Sequence, residues 1–298
     1  MMKKAEVVLD HCCHLGEGPV WDPADQRILW VDITEGKIHQ FFTKEKKHKV
    51  FSAGQMVGAI AFTGGGELIA ALQHGFFSIN LETQRMRAIA DPEANLPGNR
   101  FNDGKCDPAG RFWAGTMSVH DEEKAGKLYV LDTNGSVSVK IEDVTCSNGM
   151  AWSPDHKTFY YIDTGAQEVV AYDYNIENAD ITNKRSVIKI APEEGFPDGM
   201  TVDHEGMLWV AIWGGWKVQR YDPGHGQLLD EIHLPVSLVT SCTFGGENLE
   251  DLYITTARKD LSEPDLRAQP LAGSLFVVRQ SGYRGCEANY FLRSLKGS

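Results

Sequence analysis

Glu17, Asn102, Asn148 and Asp198 each stand four places before a large or apolar residue, namely Trp21, Cys106, Trp152 and Val202. Two carboxylates and two side-chain amides would offer hard oxygen donors, which suit Ca²⁺, Mg²⁺ or Mn²⁺ better than a thiolate-seeking ion. Zn²⁺ and Fe²⁺ also accept carboxylates, so the donor set does not name the metal. Singly, these residues have ordinary readings. Asn148-Gly149 and Asp198-Gly199 are turn dipeptides, and Glu17 between two glycines suits a solvated loop. Metal chemistry requires that residues far apart in the chain meet.

A repeat supplies the reason for them to meet. Taking Trp21, Phe62, Cys106, Trp152, Val202 and Phe244 as anchors, each read as opening a strand after a short turn, the intervals are 41, 44, 46, 50 and 42 residues. That is the period of a four-stranded propeller blade. The positions four before the anchors are Glu17, Gly58, Asn102, Asn148, Asp198 and Thr240. Equivalent positions of the blades face one central channel, so the four polar ones should converge there. Gly16-Glu17-Gly18-Pro19, Ser147-Asn148-Gly149-Met150 and Pro197-Asp198-Gly199-Met200 share their punctuation, and Asp22-Pro23, Asp107-Pro108 and Ser153-Pro154 start turns at one phase of three repeats.

The elements that must carry these residues are strands. Short alternating or apolar runs bounded by Gly, Pro, Asp and Asn, such as Arg27 to Asp32, Glu67 to Leu72 and Thr158 to Asp163, fill the chain, and no long helical period occurs. The reading is an all-β, six-bladed β-propeller in one domain over residues 1–298, with a metal site in its central channel. A ring with an open seam would leave exposed sheet edges, so the strand around Ala5 to Leu9 is expected to complete the last blade. Ala257 to Gly273 has two prolines and no alternation. It reads as a surface loop, with a rim or lid over the channel as the alternative.

Composition excludes several classes. A formal net charge of −12 argues against a nucleic-acid or anionic-membrane partner. The one basic run, Lys44 to Lys49, is interrupted by Glu45 and His48 and reads as a solvated hairpin tip. No apolar run approaches the roughly 18 residues of a membrane span, and the opening MMKKAEVVLD lacks the apolar stretch of a secretory leader. Six cysteines without a C-x-x-C pair suit a reduced, cytoplasmic location, and a closed ring suits a monomer. His11-Cys12-Cys13-His14 offers four good zinc ligands, but on a strand His11 and Cys13 would face away from Cys12 and His14, so ordinary strand residues are expected there.

Two further pairs of residues bear on ligand recognition. Arg100 and Asn102, two apart, would share a strand face and aim a guanidinium and an amide at one oxygen-rich ligand. Trp213 and Trp216 could stack on a sugar face, with core packing as their default role.

The run Arg100 to Met117, with the three Glu17, Asn148 and Asp198 motifs in the same order, resembles the SMP-30/gluconolactonase group, which includes regucalcin-like sugar lactonases. The resemblance extends from Leu15 to about Phe291. It implies a six-bladed propeller, one divalent cation held by Glu17, Asn148 and Asp198, and a small sugar lactone contacted by Arg100 and Asn102. Calcium heads the candidate ions, with Zn, Mn, Mg or Fe as the others. Relatives carry an acidic substrate contact 20 positions after the arginine, where this chain has His120; Asp121, Glu122 and Glu123 lie beside it.

The reaction implied is lactone hydrolysis to the aldonic acid, with Asp198 as the base that takes a proton from water. The rival readings are a calcium-binding regulatory propeller without an enzymatic role, and another metal-dependent ester or organophosphate hydrolase on the same scaffold.

Overall fold

Strand alternation is put to use on both faces of every blade. In Leu68–Leu72, for example, Leu68, Ala70 and Leu72 pack toward the first blade, while Ile69 and Ala71 pack toward the third. The computed structural model describes residues 4–292, so Met1 to Lys3 and residues 293–298 of the expected domain lie outside it.

Six four-stranded antiparallel sheets stand around a channel, confirming the all-β, six-bladed propeller. The innermost strands are Gly16–Asp22, Val57–Phe62, Asn99–Cys106, Ser147–Trp152, Phe196–Val202 and Val239–Gly245, and each packs on the next around the ring. In the first five blades the other three strands follow in chain order. The sixth is completed by Glu6–Leu9, which pairs with Leu275–Val278 as the closure argument predicted. The anchors sit at the channel-side strand's far end, not at its start, because the polar position and its glycine already belong to that strand.

The core is a ring of apolar seams between neighbouring blades. Trp113, Trp152 and Phe159 fill the seam of blades three and four, and Trp209 and Phe244 that of five and six. Asp-initiated turns tie the seams to the backbone. Asp107 Oδ1 accepts from the N–H groups of Ala109 and Arg111, both at 2.9 Å, while its Oδ2 accepts from Trp113 Nε1 at 2.9 Å and Tyr174 Oη at 2.7 Å. Asp203 repeats this with Glu205, Met207 and Trp209, although no proline follows it. These carboxylates are buried, and each accepts several hydrogen bonds, the condition under which a buried charge is tolerated.

Among the described residues the only α-helix is Glu263–Ala268. It corrects the loop reading of 257–273. Ser262 and Asp265 form a capping box, and Pro264 stands in the first turn, a local signal that the lack of alternation obscured. The basic run splits between a turn at 43–46 and the outer strand Lys47–Ser52. Among the described residues no helix is long and apolar enough to cross a membrane.

Candidate active site

Each innermost strand loses register with its neighbour near its start. The slips fall between Glu17 and Val20, Val57 and Ala59, Phe101 and Gly104, Ser147 and Met150, Pro197 and Met200, and Val239 and Ser241. The six equivalent positions therefore lie at bulges, which bend a strand and re-aim its side chains. This device turns Glu17, Asn148 and Asp198 together at one mouth of the channel.

Glycine lets the strands come close enough. A Cβ on Gly149 would stand 2.6 Å from Met200 Cβ and 2.7 Å from the Asp198 carbonyl oxygen. Both contacts lie in the strand that carries Asp198, so Gly149→Ala should push blades four and five apart where the ligands meet. The expected cost is about 1–3 kcal/mol of stability, seen as a lower urea midpoint at unchanged slope.

Glu17, Asp198 and a third carboxylate, Asp103, are all buried, and their charges act on one another. Glu17 and Asp198 are within hydrogen-bonding reach, and burial pushes both well above the usual carboxylate range, reinforced at Glu17 by repulsion from Asp198 and Asp103 and at Asp198 by repulsion from Asp103. Burial raises Asp103 as well, opposed by Lys105, whose ammonium donates to the Met200 carbonyl at 2.7 Å. Gly18 N–H donates to Glu17 Oε2 and Gly104 N–H to Asp103 Oδ1, both at 2.7 Å.

Asn148 supplies the deciding detail. Its Nδ2 donates to Thr164 Oγ1 at 3.0 Å, which fixes the amide, yet its buried Oδ1 has no hydrogen-bond partner. An orphaned buried acceptor costs about 1–3 kcal/mol, and the amide that carries it lies within hydrogen-bonding reach of the Asp198 carboxylate. An oxygen-lined cradle of crowded carboxyl groups with an unused carbonyl fits a hard divalent cation. Glu17, Asn148 and Asp198 could hold it, with Asp103 behind them.

Arg100 is buried at the same mouth, and burial lowers its pKa against the opposing pull of Glu17, Asp121 and Asp198. Its Nη1 donates to Asn102 Oδ1 at 2.7 Å and to the Phe101 carbonyl at 3.0 Å, and Asn102 Nδ2 donates to the Ser147 carbonyl at 2.8 Å. Asn102 thus holds the guanidinium and ties blade three to blade four. His120 is exposed just past Phe112–Ser118, where its N–H donates to Ser118 Oγ at 3.1 Å. The charge that reaches Arg100 from that loop is that of Asp121. Trp213 is half-buried, and Trp216 is 42% exposed with φ of 62°. Core packing therefore does not describe Trp216.

The model of the SMP-30/Gluconolactonase/LRE-like region matches residues 15–258. The chain belongs to the SMP-30/gluconolactonase/LRE-like family. Within it, the chain is 42% identical to a protein of Bacillus subtilis (strain 168) provisionally named sugar lactone lactonase YvrE, over 89% of this chain and 91% of that one. It is 41% identical to regucalcin of Oryctolagus cuniculus, covering 95% of this chain and 96% of that one. A solved structure of a calcium-binding protein, regucalcin, from Agrobacterium tumefaciens superposes with a TM-score of 0.92 at 29% identity, covering 96% of both chains. The family includes gluconolactonases, which supports hydrolase chemistry at that level.

Proposed function

We propose that this chain hydrolyses a sugar lactone to the aldonic acid at the channel mouth, with a divalent cation, calcium first among the candidates, held by Glu17, Asn148 and Asp198. The observation that carries the reading is the unpaired Asn148 Oδ1 beside buried carboxylates, with a buried guanidinium at the same mouth. A purely structural ion has no use for Arg100, which favours catalysis over the regulatory reading.

A bound cation would polarise the lactone carbonyl as a Lewis acid and acidify the attacking water. Asp198 takes the proton of the water as its oxygen adds to the carbonyl carbon. The ring acyl–oxygen bond then breaks, and the proton passes to the leaving ring oxygen, which becomes a hydroxyl. Arg100, braced by Asn102, orients the sugar oxygens and stabilises negative charge developing on the substrate. His120 and Asp121 lie on the loop that would select among sugars.

Arg100→Ala should lower kcat/KM by about one to two orders of magnitude, and an unchanged value for the best substrate would rule out this pose. The whole reading is tested by following proton release from a panel of sugar γ- and δ-lactones. Chelated enzyme is resupplied with Ca²⁺, Zn²⁺, Mn²⁺, Mg²⁺ or Fe²⁺. Metal-restored turnover above the spontaneous rate supports the lactonase, whereas stoichiometric ion binding without turnover on any lactone overturns it.

A further inference from the structure

A second cluster of ligating side chains lies away from the channel mouth, on the seam where the ring closes. His11 and Cys13 belong to the link between the closing strand Glu6–Leu9 and the first blade, and His39 lies on Lys37–Phe42 of that blade. The link lies outside the strands, and the Cys13 N–H folds back on the His11 carbonyl at 2.8 Å. His11 and Cys13 turn toward His39, while His14 leaves the group, its Nδ1 standing 2.6 Å from Thr34 Oγ1.

One ligand atom from each of His11, Cys13 and His39 lies within 4.8 Å of the others, and Cys13 Sγ is 3.8 Å from His39 Nε2. Tetrahedral zinc with bonds of about 2.3 Å to sulfur and about 2.0 Å to nitrogen sets those two ligands roughly 3.5 Å apart, so the site closes with small movements. The surroundings are those of metal ligands held in place. His39 Nδ1 is 3.0 Å from His48 Nε2, a contact that, with His39 donating, leaves the Nε2 lone pair facing Cys13. Trp30 Nε1–H donates to Cys13 Sγ at 3.4 Å, which fixes the sulfur in place. Trp30 also stacks on the His39 ring, with centroids 5.0 Å apart.

We propose that His11, Cys13 and His39 bind one thiophilic divalent cation of the zinc class, leaving a fourth position for water and pinning the closing segment to the first blade. The donor set separates this ion from that of the channel, where oxygen predominates. As the metal–sulfur bond forms, the Cys13 thiol proton leaves to solvent, one per ion bound. The proposal is independent of the lactonase reading.

Co²⁺ titrated into the whole protein in the presence of Ca²⁺ tests it, because a cobalt–thiolate bond gives a near-ultraviolet charge-transfer band that oxygen ligands do not. One equivalent should produce the band, and Zn²⁺ should displace it. Cys13→Ser should abolish the band, and the exposed neighbour's variant Cys12→Ser should retain it. His11→Ala, at a half-buried position that spares the fold, should weaken binding at least tenfold, and His48→Ala should weaken it by about ten- to a hundredfold. No thiolate band in the unaltered protein, a band that survives Cys13→Ser, or one lost with Cys12→Ser overturns the site.

Discussion

Asp198→Asn is expected to lower kcat for lactone hydrolysis by about 10²–10⁴-fold while a divalent cation still binds. Asparagine keeps the size of the side chain and one oxygen donor, but it cannot take a proton from water. Asp198 is buried between Glu17 and Asp103, and its amide neighbour Asn148 is fixed by Thr164, so the substitution should leave the strand Phe196–Val202 in place. Calorimetric occupancy and steady-state rates on one lactone separate the two roles. Near wild-type kcat with the ion bound would remove Asp198 as the base, and loss of ion binding along with activity would make it a ligand before anything else.

Stripping the channel ion should lower the thermal midpoint as well as activity. Three buried carboxylates then face one another, with Arg100 and Lys105 as nearby cations. Anything bound to the native state alone stabilises by about 2.7 kcal/mol when its free concentration is a hundred times Kd. Scanning calorimetry with and without Ca²⁺ should show that increment in the unaltered protein and lose it in Glu17→Ala. An unchanged midpoint on adding the ion, at concentrations that restore turnover, would contradict the proposed ligation.

The spacing of six anchors exposed the blades in the sequence because every blade needs the same channel-side strand, turn and apolar seam. It also exposed Glu17, Asn148 and Asp198, which share one phase of that pattern. Asp103 was not visible in this way. It is one place out of phase and enters the site because the slip between Phe101 and Gly104 leaves both Asn102 and Asp103 unpaired. A bulge is a property of two strands together, and neighbouring Asn and Asp residues do not announce it. The grouping of His11 with Cys13, apart from Cys12 and His14, agrees with the sequence reading, but the strand expected there does not form: those residues follow the closing strand without belonging to it, and nothing local to them announces His39 across the seam. The helix at Glu263–Ala268, by contrast, had a readable start in Ser262, Pro264 and Asp265.

Pairing of Glu6 with Val277 gives the ring an order of assembly. Blades one to five each consist of consecutive strands, so their contacts are local and can form as the chain emerges during synthesis. The sixth must wait until Leu275–Val278 is made and then recruit a strand produced at the outset, at the entropic cost of closing a very long loop. All three proposed cation ligands have been synthesised by Asp198, yet they converge around a shared channel only as the ring takes its curvature. Ligand assembly in this fold is therefore coupled to a late, nonlocal folding event.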